Sequence, residues 1–241
     1  MIHNSLEKGK SMRFCREALS LALALVFVFH SFCLAVPGPQ KGRNEASILW
    51  AFGAIRASSN PPKLEPVTPQ MVLKSGDKLK MMIQIRKKCF VYLIHKDSQG
   101  NLAMLFPYSL KQFDTDYQTD RNYYSPKGEA WFQLDSRTGI ETFYLIASDQ
   151  RLLDIEYTYQ KYASSEESKK QDLAGQILSQ LEEITESHLA SSGGDEILAS
   201  NQPAFRGFER ASGADPTDVA QLATEISFDN IYSKTFVIDH K

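Results

Sequence analysis

The stretch LIHKDSQGN, residues 93–101, places His95, Asp97 and Ser98 almost side by side, which are the residue types of a base, an acid and a nucleophile. Nucleophilic catalysis needs those groups to converge from separate segments, so that the base touches the nucleophile and the acid orients the base. Neighbours at a strand end point to alternating faces instead. Asp and Ser beside Gly100 and Asn101 supply the side-chain-to-backbone bonds of a tight turn. The three residues are therefore read as hairpin chemistry. Metal binding finds little more. Past the N-terminal leader, the histidines are His95, His188 and His240 and the cysteine is Cys89, and no pair of these has ligand spacing. Asp114, Asp116 and Asp120 resemble the start of a calcium loop, but Thr119 stands where the turn glycine belongs and Ser125 where a bidentate Glu belongs. No cofactor or metal site is expected.

The segment around those aspartates can be read in more than one way. Tyr108, Phe113, Tyr117, Tyr123 and Tyr124 accompany Asp114, Asp116 and Asp120 on one polar stretch, 108–127. Exposed, these side chains make a contact surface for a protein or envelope partner; folded back, the rings make a lid over the sheet. The same carboxylates together with Glu129 define an alternative, a hydrolase using a paired acid and base, which requires two of them to meet at a pocket. A purely structural subunit is the third reading, and it requires apolar patches on a sheet face or edge.

The elements that must carry these residues are mostly strands. Lys78 to Arg86 alternates apolar Leu79, Met81, Ile83 and Ile85 with polar neighbours, the period of a strand with one buried face. Cys89 to Ile94 is apolar throughout, as a central strand should be, and the basic Arg86, Lys87 and Lys88 before it fit a solvated hairpin connection. Asp97 to Asn101 closes a hairpin into Leu102–Phe106. Glu129–Leu134 and Ile140–Ala147 are expected to form a second hairpin, and Ile226–Asp239 a returning C-terminal strand. Leu152 to Tyr162 fits helix or strand, and helix is the preferred reading. An amphipathic helix follows over Ser165–His188, with Leu173, Ile177, Leu181 and Ile184 at helical spacing. Ser164 and Glu167 are its capping box, and Ser191 to Gly194 end it. Asp195–Ala214 is irregular and Thr217–Ala223 a short helical turn. Ala46–Ala57, apolar on more than one side, is expected as a short helix, and the proline-rich 58–69 as an extended linker. The fold class is thus mainly β with helical additions: an antiparallel β-sandwich or open barrel of hairpins plus a returning strand, with one long amphipathic helix inserted. The expected division is a signal peptide at 1–35, a flexible segment and linker at 36–69, and one β-rich domain at 70–241 with its helical insertion at about 152–190.

The leader rests on Lys8, Lys10, Arg13 and Arg16 ahead of the uncharged run Leu19–Phe29, with Cys33 and Ala35 as the small residues before a cut. Met12 offers a second possible start. The run is shorter than the ~20 residues of a membrane span, so export to the periplasm or medium is expected; an uncleaved anchor in the inner membrane is the alternative. Without the leader's four basic and two acidic residues, 23 basic residues face 27 acidic ones, a formal charge of −4. That balance disfavours nucleic acid as a partner, and leaves a membrane only if the leader stays in place. Cys89 alone remains, so no internal disulfide is expected, and its apolar setting suggests a small buried hydrophobe.

Leu73-x-Ser75-Gly76-Asp77, Tyr92-Leu93 running into Asp97-Ser98-x-Gly100, Leu105-Phe106-Pro107, and Gly139-x-Glu141 followed by Ile146-Ala147-Ser148 together resemble the bacterial domain-of-unknown-function family 4384. The resemblance covers roughly residues 66 to 150, with echoes at Arg206-Gly207-Phe208 and in the final strand. It implies an accessory module found in envelope proteins or beside caspase-like peptidase or kinase domains, without an assigned catalytic residue. An exported, non-catalytic binding or adaptor module is the function expected from the whole reading.

Overall fold

The computed structural model describes residues 45–191 and 217–241. The expected signal peptide, the segment 36–44, the helix stop at 192–194, the irregular stretch 195–214 and the echo at 206–208 lie outside the described residues.

Among the described residues, eleven strands form two sheets. In the first, β1 (Ala46–Ile55) pairs antiparallel with β4 (Lys78–Lys87) over most of its length, and with β10 (Thr224–Phe228) and β2 (Leu64–Pro66) along its other edge. β7 (Asn122–Ser125) and β8 (Phe132–Gln133) pair with the far edge of β4. The second sheet runs in the order β3 (Gln70–Leu73), β11 (Ile231–His240), β9 (Gly139–Ser148), β5 (Phe90–Lys96), β6 (Leu102–Phe106). Its pairings are antiparallel except that β3 lies parallel to β11. The inner faces of both sheets meet in one apolar core, where Phe52 of β1 packs edge-on against Phe143 of β9 (5.1 Å) and Phe236 of β11 (5.2 Å). The fold is a sandwich rather than a closed barrel, mainly β with helices added.

Those helices cover the outer face of the second sheet. A single turn, α1 (Gln112–Thr115), precedes α2 (Leu153–Ser164) and α3 (Glu167–Ser191). Ile155 and Tyr162 of α2, with Ile177 and Leu181 of α3, bury against Tyr92, Ile94 and Ile146. The alternation that makes β5 apolar on both faces follows directly: Val91 and Leu93 face the other sheet, while Tyr92 and Ile94 face the helices. The expected Ser164 capping box is absent. Ser164 is the last residue of α2, and its hydroxyl donates back to the Gln160 carbonyl (2.9 Å).

Several other expected elements differ. Ala46–Ala57 is not a helix but the central strand β1, so the sheet begins well upstream of residue 70. One face of β1 (Ile48, Trp50, Phe52, Ala54) enters the main core. The other (Ala51) lies under the 3-10 turn Val219–Leu222, the helical turn expected there. A strand covered on both sides is apolar on both sides, which is what made it look helical. The proline-rich stretch after it is no free linker, since Val67 is buried and its amide donates to the Phe52 carbonyl (2.8 Å). Finally, neither β8 and β9 nor β4 and β5 make hairpins. Both links carry the chain from one sheet to the other, and a third crossing at Asp229-Asn230 divides the expected C-terminal strand into β10 and β11. The Asp97–Asn101 hairpin is present: the Asp97 amide donates to the Asn101 carbonyl (3.0 Å) and Gly100 takes φ +87°.

Candidate functional site

Segment 108–127 runs from β6, the edge of one sheet, to β7 at the edge of the other, and its aromatic residues seal that side of the sandwich. Tyr117 stacks on Tyr123 (6.1 Å), and Phe113 meets Phe90 (5.3 Å) and Tyr117 (4.9 Å) edge-on. Where β6 has run out, the Tyr117 hydroxyl accepts from the Val91 amide (2.9 Å); burial pushes this phenol well above its ordinary pKa. Tyr123 is only 3 % exposed. Of the expected contact rings, Phe113, Tyr117 and Tyr123 therefore form the lid. Tyr108 is 37 % exposed, and its hydroxyl donates to the Tyr124 carbonyl (2.6 Å). Tyr124 is half-buried on the outside of β7, beneath the Lys80 ammonium (5.1 Å). Burial lowers the Lys80 pKa, against the opposing pull of Glu129 and Asp218.

The carboxylates of this segment remain at the surface, each closed on a different arginine: Asp114 on Arg151 (3.6 Å), Asp116 on Arg121 (2.5 Å), Asp120 on Arg86 (2.8 Å). They form no shared acid–base pair, and among the described residues no three His, Cys, Asp or Glu side chains assemble into a metal-holding group.

The structure brings together a different set. Along β9 the inward side chains are Leu145, Phe143, then Glu141. Along β5 they are Leu93, then His95; along β11, Phe236, Ile238, then His240. Cross-strand register aligns His95 with Phe143, and Ile238 with Glu141. At one end of the sandwich the inner face thus changes from apolar to ionisable. His95 lies on the Phe143 ring (4.5 Å), and its Nε2 meets Glu141 Oε2 at 2.6 Å. The Ser98 amide donates to the other Glu141 oxygen (3.3 Å). That approach needs Gly139, whose φ is +141° and where a Cβ would lie 2.6 Å from the Ser98 Cβ. His240, 2 % exposed, bonds the Ser75 hydroxyl through Nε2 (3.1 Å). Its Nδ1 has no hydrogen-bond partner among the described residues.

These groups line a cleft of about 210 Å³. Its apolar walls include Leu79, Leu105, Phe132 and Phe143, and Asp97 and Asp135 line it together with Glu141. Burial tends to raise the Asp97 pKa, but hydrogen bonds from the Asn101 side chain and from the Asn101 and Gln99 amides, with help from His95, hold it below the ordinary value. Asp97 and Ser98 are turn residues, as read from sequence, while His95 belongs to a pair with Glu141 that lay 46 positions away. Ser75 and His240 do not extend to a triad, because the nearby Asp77 is committed to the Ala57 and Lys74 amides (2.8 and 2.9 Å).

Residues 72–151 match the model of the family described as Domain of unknown function (DUF4384), close to the span read from the sequence motifs. Every lining residue of the cleft except His240 falls inside that match. Comparison with curated proteins and with solved structures finds no match.

Proposed function

We propose that the protein is an exported, non-catalytic binding module of the bacterial envelope, which meets a protein or envelope partner through the solvent face of segment 108–127. The observation that carries this reading is the division of labour within the segment. Phe113, Tyr117 and Tyr123 turn inward and fix the backbone, so Tyr108, Asp114, Asp116 and Asp120 are presented outward in one arrangement. A partner then binds without having to order the loop, which removes much of the entropic cost of association. Export is supported by the basic, apolar and small-residue order of the first 35 residues. Among the described residues no helix is long and apolar enough to cross a membrane.

The test is crosslinking in envelope preparations with wild type and with Asp114→Lys/Asp116→Lys/Asp120→Lys. Exposed ion pairs contribute only about 0–1 kcal/mol each, and an unchanged circular dichroism spectrum checks that this variant keeps its fold. Loss of the wild-type crosslinked partner is the expected result; an unchanged partner set overturns the loop as the contact surface. Cell fractionation with the mass of the mature chain checks export separately.

A further inference from the structure

We propose that the cleft at the ionisable end of the sandwich is a second binding site, which takes an organic cation: an ammonium or guanidinium group on an apolar stem. No lining residue of this cleft belongs to segment 108–127.

The sign of the ligand follows from the lining. Asp97, Asp135 and Glu141 contribute three carboxylates, and among the described residues no lysine or arginine lines the space. Two histidines alone would suit an anion, but one entering here would sit among three negative charges. The roles of the carboxylates differ. Asp97 is spent on its own turn, accepting from the Gln99 and Asn101 amides and the Asn101 side chain. Asp135 accepts from the Arg137 amide and pairs with its guanidinium (3.3 Å). Those two act through the field at the mouth. Glu141 is the direct acceptor, since its second oxygen is engaged only by the long Ser98 bond.

His240 supplies the independent sign of a missing ligand. It is a buried imidazole on the cleft wall with one nitrogen unsatisfied, and such a group costs stability unless something completes it. In the tautomer whose Nε2–H donates to Ser75, Nδ1 is an acceptor, which is what a cationic N–H donor seeks. The stem fits between Leu79, Phe132 and Phe143, and the His95 ring lying on Phe143 gives a guanidinium a flat surface to stack on. Such a cation exists both as a free amine and as a basic side chain of a polypeptide.

The test uses the full chain and follows the His95 and His240 ring signals by NMR during titration. The probes are Nα-acetyl-arginine amide, its neutral counterpart Nα-acetyl-norleucine amide and the anionic Nα-acetyl-glutamate amide. The arginine probe is expected to shift both rings and to bind more tightly than the other two. Glu141→Gln should weaken it roughly tenfold, the scale of one charge-assisted hydrogen bond. Asp135→Asn, at an exposed rim position, should weaken it less while leaving the core untouched. Cadaverine and the peptide Gly-Gly-Arg-Gly-Gly separate the sources: tighter binding of the peptide assigns the site to a protein segment, tighter binding of the diamine to a free amine. The Asp114/Asp116/Asp120 lysine variant should bind the arginine probe like wild type, which keeps this site distinct from the loop. Equal affinity for the norleucine or glutamate probe, no response to any cation, or unchanged affinity in both cleft variants overturns the proposal.

Discussion

Glu156 is a carboxylate almost wholly withdrawn from water, 4 % exposed at the start of α2. It survives there because Arg151 grips both its oxygens and the Tyr92 hydroxyl donates to one of them (2.6 Å). The same Tyr92 oxygen accepts from the Leu152 amide (3.0 Å), tying the helix start to β5. Arg151 also reaches Asp114 and lies over the Phe113 ring (5.4 Å), so one guanidinium joins α2 to segment 108–127. Arg151→Met strands the buried carboxylate and should cost about 3 kcal/mol in urea unfolding. Cys89 shows the opposite use of burial. Its apolar setting pushes the thiol up to about 12, so iodoacetamide at neutral pH should modify it only after unfolding. A raised folded value favours the neutral thiol, so the stability it lends is full below the ordinary value of 9.0 and declines as pH rises from there toward about 12. Cys89→Ala should flatten that part of the stability profile.

Strand ends and edges show how the elements were specified. β6 is an edge strand, and its outward amides at Leu102 and Met104 donate to the hydroxyls of Tyr162 (2.9 Å) and Tyr159 (2.8 Å) on α2. The helix hides the edge with phenols, a defence against pairing with another chain. Tyr159→Phe and Tyr162→Phe should each cost about 1 kcal/mol and should speed hydrogen exchange at the amide that each one caps. β4 and α3 were legible in the sequence because each keeps polar residues along one side, and β5 because its short apolar run is rich in β-formers. β4 showed its alternation, and α3 its stripe of Leu173, Ile177, Leu181 and Ile184. β1 was illegible because both its faces are dry, which erases the period that separates strand from helix. The supposed hairpin at 129–147 failed for another reason: a turn records where the chain bends, not which sheet receives the next strand. For the site, the sequence carries a parity signal. Glu141 and His240 continue the inward parity of Phe143 and Ile238, so an ionisable residue at an inward strand position pointed to the cleft. The pairing of His95 with Glu141 needed the register, which no local pattern carries.

At the scale of the molecule, β11 holds the second sheet together. It pairs with β9 from Ile231 to His240 and with β3 from Val237 onward, and it sends Phe236 and Ile238, both fully buried, into the core. Removing Ile231–Lys241 should therefore abolish the cooperative transition in circular dichroism, whereas Phe236→Ala should retain it at a cost of about 3–5 kcal/mol. The two tryptophans of the chain divide the molecule differently. Trp50 stands edge-on to Phe236 (5.5 Å) inside the core, while Trp131 sits half-buried under the Lys80 ammonium (5.7 Å) on the outside of the sandwich. Acrylamide will dim the outer indole well before the inner one. Replacing either with Phe leaves a native fluorophore that watches a single region, so loosening of the surface and melting of the interior can be timed separately with no attached dye.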